Sequence, residues 1–227
     1  MWLRIVGISF VVVACDSSSS PTISRLASHP AGQPMKLSPS DGPFTRAELF
    51  EIAYHYHPRM ERLTFRSDDD LYRYEQTTPE YRARDAAHDQ AMADRAPWNE
   101  VVQALSTAWP DKSVADTTVP HLLEPAYVVE VTIDTQPSRR IVGMVSVLAP
   151  IYIVYESVAG QPRELRPSVS SPIAPIAQRM EREILARFPY HRLEPQLGTT
   201  IVPGIRVGNL QYGETMLMDA LFTPAWW

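Results

Sequence analysis

The chain has 227 residues, 44% of them apolar, and a formal net charge of -5 from 21 basic and 26 acidic residues. That is enough apolar material for one globular domain with a real core. It is too acidic, and too free of basic blocks, for a nucleic-acid binder, which needs clustered positive charge against phosphate. Lys36 and Lys112 are the only lysines, and the nine glycines build no phosphate-cradling loop, P-loop or dinucleotide fingerprint.

Residues 1–14 read as an export signal. Arg4 supplies the positive end, Ile5 to Val13 an apolar stretch, and Ala14 a small residue before a cleavage point. The apolar run is about half of the ~20 residues a permanent membrane helix requires. Cys15, the only cysteine, follows at once, so no intrachain disulfide is expected and packing alone must stabilise the domain. Val12-Val13-Ala14-Cys15 resembles the lipobox of bacterial lipoproteins, with Val12 in place of the usual leucine. The resemblance implies diacylglyceryl transfer to the Cys15 thiol, cleavage before it, and acylation of the new amino group with a fatty acid such as palmitate. Acyl chains contribute about 0.8 kcal/mol per buried CH₂, so two or three anchor a protein without a spanning helix. Asp16 resembles the inner-membrane retention signal of enterobacterial lipoproteins, with the outer membrane as the other destination; the domain would face the periplasm.

Residues 15–43 are rich in Ser, Pro, Gly and Ala and read as a flexible linker. As coil, about 28 residues reach roughly 30 Å root-mean-square. His29 is expected exposed.

Residues 44–227 read as a single α+β domain, an antiparallel-rich sheet with three to four amphipathic helices packed on it. Thr45 and Glu48 fit a capping box, with Phe44 stapled to Leu49. Leu49, Ile52, Ala53 and Tyr56 share one helical face, and Pro58 stops the helix near His57. Arg59 to Gln76 is mixed: Asp68, Asp69 and Asp70 read as a solvated acidic loop, and Leu71 to Tyr74 as a short strand or turn. Thr78-Pro79-Glu80 opens a peripheral helix running to about Arg95, with Glu80 and Arg84 as an exposed i,i+4 pair. Pro97 opens another, striped by Trp98, Val101, Val102, Leu105 and Trp109 and ended by Pro110.

The period then changes. Tyr127, Val129, Val131 and Ile133 alternate with polar or smaller positions, as in a half-buried strand, and Thr135 to Ser138 turn the chain. Ile141 to Tyr155 predicts two strands, or one bent at Ala149-Pro150. Ala159 to Pro162 reads as a turn and Arg163 to Val169 as an edge strand. Ser171-Pro172 starts a helix with Ile173, Ile176, Ala177, Met180, Ile184 and Phe188 on one face and Glu181 and Glu183 on the wet side. Thr200 to Val202, Ile205 to Val207 and Thr215 to Phe222 are strand-like.

Chemistry is sparse. Glu51, His55 and His57 form E-x3-H-x-H, a weak metal-like cluster: Glu51 and His55 share a helical face, and His57 joins them only if Pro58 bends the chain. The plainer reading places histidines at the helix C-terminal dipole. His88, His121 and His191 are scattered, and neither Ser146 nor Ser157 sits in a G-x-S-x-G elbow. No catalytic residue, metal or cofactor is assigned. Trp226 and Trp227 either dock on the domain or present aromatic contacts to a partner. The expectation is a membrane-tethered lipoprotein, held through acyl chains on Cys15, whose soluble domain is a non-enzymatic, possibly immunity-like module binding a protein partner and no nucleic acid. A small cell-envelope hydrolase and an envelope scaffold are the alternatives.

Overall fold

A computed structural model describes residues 29–38, 43–59, 67–119, 125–135, 138–158, 173–208, 210 and 213–222. Cys15, Asp16, His121, Trp226, Trp227 and the stretches 159–162 and 163–169 lie outside the described residues.

The fold is α+β: one five-stranded, mostly antiparallel sheet with helices. Helix α1 (Arg46–Tyr56) begins at Thr45, whose side chain accepts from the Glu48 N–H while the Glu48 carboxylate accepts from the Thr45 N–H at 2.8 Å. It ends where His57, ahead of Pro58, turns extended. Leu49, Ile52, Ala53 and Tyr56 are its buried face. Helix α2 (Asp68–Thr77) corrects the expected loop and strand. Ser67 caps it through the Asp70 N–H, and the three aspartates open its first turn, where the helix dipole favours negative charge. Thr78 caps α3 (Pro79–Ala93), and α4 (Ala96–Ala108) buries Trp98, Val101 and Leu105.

Strands β1 (Val114–Asp116), β2 (Ala126–Thr135), β3 (Ser138–Ser146) and β4 (Ile151–Val158) pair antiparallel in sequence order. After α5 (Ala174–Arg187), β5 (His191–Arg192) joins β4 in parallel. Two short helices follow, α6 (Pro195–Gly198) and α7 (Leu217–Phe222). Helix α7 corrects the expected final strand. All six of its residues are buried, and a short run that is apolar but for Asp219 has too little period to separate strand from helix.

Helices cover both faces of the sheet. Ala126, Val142, Met144, Ile151 and Ile153 pack with α1, α3 and α7. Tyr127, Val129, Val131, Ile141, Val145 and Val154 pack with α4 and α5. A strand buried on both faces has no polar positions to spare, which is why 141–155 is almost continuously apolar. At Gly143 the sheet and α5 come closest. A Cβ there would lie 2.5 Å from Met180 Sδ and 3.1 Å from Met180 Cγ.

Two polar positions differ from the sequence reading. Glu183, expected on the wet face of α5, is 9% exposed and held between Arg179 and Arg187, one turn away on either side. Arg84 turns from the solvent toward α1 to donate to His57. The packed region also reaches back into the linker: Met35 and Leu37 lie against the core.

Gly143→Ala is expected to destabilise the domain by about 1–3 kcal/mol through overpacking against buried Met180. In urea unfolding, Gly143→Ala combined with Met180→Ala should lose less than the sum of the two single substitutions, because the new methyl group fills part of the space Met180 leaves.

Candidate functional site

Two neighbouring features gather the polar groups of the domain. The first is a network around α7. A helix buried at both ends must have its free N–H and C=O groups satisfied by side chains. Asp219 Oδ2 accepts the Met216 N–H at 2.9 Å at the start. At the other end His57 Nε2 donates to the Ala220 carbonyl at 2.8 Å, and Ser146 Oγ donates to the Leu221 carbonyl at 2.7 Å. The Leu148 N–H in turn donates to Ser146 Oγ at 3.2 Å.

These contacts fix the protonation state of His57. Nε2 faces a carbonyl and must carry hydrogen. Nδ1 lies 2.9 Å from an Arg84 guanidinium nitrogen and must accept. The ring is therefore neutral and cannot take a second proton without turning a donor toward a guanidinium. Its pKa is lowered to about 3, first by burial, then by the charge of Arg84. Burial also raises the Glu75 carboxyl, against the pull of Arg84 and Arg206, and lowers His88.

The sequence-derived cluster does not converge. His55 Nε2 bonds to the Gln33 carbonyl at 2.7 Å, His57 points into α7, and Glu51 is exposed. Among the described residues no group of three or more His, Cys, Asp or Glu could hold a metal. Ser146 spends its hydroxyl proton on a backbone carbonyl, and both His57 nitrogens are engaged, so these two do not form a nucleophile–base pair.

The second feature is a cleft of about 760 Å³, within the range of small-ligand sites. Several separate stretches of chain build it. Gln33 to Leu37 form one wall, pinned where His55 meets the Gln33 carbonyl and where the Met35 N–H donates to the Tyr56 hydroxyl at 2.8 Å. Ser146 to Pro150, the turn between β3 and β4, contribute another stretch of lining. Ala87, Gln90, Ala91 and Asp94 line it from the C-terminal half of α3. Tyr127, Phe188 and Tyr190 contribute rings. The last two are brought there by the pairing of β5 with β4, in which the His191 N–H donates to the Pro150 carbonyl at 3.0 Å.

Tyr127 stacks on Trp98 with ring centres 5.2 Å apart and donates its hydroxyl to the Ala91 carbonyl. Its phenol and that of Tyr56 are both raised to about 12, chiefly by burial, and burial raises that of Tyr190. All three phenols are neutral at ordinary pH and serve as surfaces and hydrogen-bond groups, not as bases. The cleft has aromatic walls, aliphatic lining and a few polar groups.

The cleft residues escaped the sequence reading. Tyr127 and Phe188 carried only a core signal, and Met35 and Leu37 were, with Ile23 and Leu26, the few larger apolar residues in a linker composition. No family model, curated protein or solved structure matches the chain.

His57 makes acid stability a measurable property. Its folded pKa of about 3 lies below the unfolded value of about 6.5, so the unfolded chain holds the extra proton between them. Its contribution is full above about pH 6.5 and is lost as pH falls toward 3, with a slope of up to about 1.4 kcal/mol per pH unit. His88 acts in the same direction and Glu75 in the opposite one. Urea unfolding of His57→Gln, which keeps a donor for Ala220, is expected to show a flatter slope between about pH 6.5 and 4 than the parent chain.

Proposed function

We propose that the chain is a membrane-tethered lipoprotein, anchored through acyl chains on Cys15, whose soluble domain is a non-enzymatic binding module. The lipobox-like Val12-Val13-Ala14-Cys15 supports the anchor. The observation that supports binding over catalysis is the cleft itself: roomy and aromatic, with a serine whose hydroxyl is bonded to backbone.

The partner is a protein presented at the cell envelope, and neutralisation of an incoming toxin is one form such binding takes. The wall formed by Gln33 to Leu37 belongs to the segment leading from the anchor, so membrane attachment and the binding surface share one stretch of chain. Met35 and Leu37 give that wall its apolar hold on the domain.

Cys15→Ala is expected to abolish labelling by a fatty-acid analogue and leave the precursor uncleaved, with Met1 still detected by mass spectrometry. Normal labelling of that variant refutes the anchor. For the binding role, in-cell cross-linking of the lipidated chain should yield a defined envelope protein, and Met35→Asp, which charges the cleft wall, should reduce that product several-fold. No product, or one indifferent to Met35→Asp, refutes the role given to the cleft.

A further inference from the structure

We propose that the cleft receives an organic ammonium group, carried on an apolar stem, at the corner where Tyr127, Phe188 and Tyr190 meet the C-terminal end of α3. The proposal rests on the reading of the cleft as a binding surface and names the chemistry of what enters it.

The rings come first. Tyr127 and Phe188 have centres 6.1 Å apart and planes inclined by 43°; Phe188 and Tyr190 are 5.5 Å apart and inclined by 62°. Phe188, inclined to a ring on either side, joins Tyr127 and Tyr190 into one aromatic stretch of the cleft lining. Aromatic faces carry the negative side of the ring quadrupole, and such surfaces hold ammonium groups by cation–π attraction.

The helix end adds charge of the same sign. Helix α3 runs for 15 residues and points its carbonyl end toward Asp94, its C-cap. A helix C-terminus carries about half a negative charge and favours a cation in its last turn. Here the last turn has no basic residue, and the cap is a carboxylate that lines the cleft. Negative charge at the negative end of a helix is unfavourable, and a bound cation relieves it. Arg95, the adjacent cation, pairs with Asp116 at 2.6 Å and holds its guanidinium 6.0 Å from the Tyr127 ring centre, which leaves Phe188, Tyr190 and Asp94 to the incoming group.

The remainder of the lining sets the stem and the valence. Met35, Leu37, Val147 and Leu148 offer aliphatic surface for a hydrocarbon chain. Lys36, in the wall formed by Gln33 to Leu37, is a positive group in the same cleft. It disfavours a second ammonium, so the site selects a monoamine over a diamine of equal length. A lysine side chain of a protein partner and a free alkylamine present the same chemistry.

The test is calorimetric titration of the full chain with n-hexylammonium, with neutral 1-hexanol as its counterpart, and with hexane-1,6-diammonium. Hexylammonium is expected to bind about tenfold more tightly than hexanol, a factor within the range of a desolvated cation–π contact, and more tightly than the diamine. Asp94→Asn, at an exposed position that leaves the core untouched, should cut hexylammonium affinity several-fold, and Tyr190→Leu should do likewise while hexanol affinity changes little. Equal binding of hexanol, indifference to Asp94→Asn, or no binding of hexylammonium at about 10 mM overturns the proposal. A peptide with one lysine, compared with its ε-acetylated form, assigns the source: discrimination between them supports a partner's side chain, and hexylammonium binding without it supports a free amine. A cleft that takes its partner through groups other than an ammonium fails this titration yet still passes the cross-linking test above, with its dependence on Met35 intact.

Discussion

A six-residue helix buried on all sides imposes the tightest constraint in this domain. Leu217, Leu221 and Phe222 are fully enclosed, and side chains of that kind contribute about 1.5–3 kcal/mol each when buried. That gain is available only if the polar backbone at the helix ends is satisfied, because an unmet buried hydrogen-bonding group costs about 1–3 kcal/mol. Asp219 closes one end, and His57 and Ser146 close the other. The polar groups of all three are thereby taken up by the fold. The same demand holds His57 neutral and draws Arg84 inward from α3.

The cleft follows from how the elements around that plug meet. Ser146 ties the end of β3 to α7 and also lines the cleft; the turn that follows it meets β5, which carries Phe188 and Tyr190 alongside. Tyr56 completes the buried face of α1 and presents its hydroxyl to the Met35 N–H in the cleft wall. Core and cleft therefore share residues, so the site is held by the same packing that stabilises the fold. Its aromatic walls are an extension of the stack that Trp98 and Tyr127 form over the other face of the sheet. Rigid rings whose edges are fixed by hydrogen bonds and stacking are preorganised surfaces, and preorganisation lowers the cost of binding.

Much of the architecture was legible because it depends on local chemistry. The capping box of Thr45 and Glu48, the proline at the start of α3, the stripe on α4 and the alternation of β2 each need only a few neighbouring residues, and the structure has all four. The failures have a common cause. Asp68 to Asp70 looked like loop because acidic runs are soluble, yet the same charges suit a helix start once Ser67 caps it. Met216 to Phe222 alternated by chance; enclosure on every side erased the periodicity that would have marked a helix. Glu183 looked wet because the reading counted charge and not the two arginines able to clamp it.

The sequence alone determined where helices and strands start and stop wherever a cap, a proline or a clear period acts over a few residues, and it determined the α+β class. Only the tertiary structure decided which polar groups meet. His57 and Ala220 are 163 residues apart in the chain, and Tyr127 and Ala91 are 36 apart. Hydrogen bonds at that separation have no local signature, because the partner is often a backbone carbonyl that every residue possesses. The cleft is of the same kind: its wall comes from a linker-like segment, its rings from a strand and a helix end, and its acid from a helix cap, and nothing but packing brings them to one place.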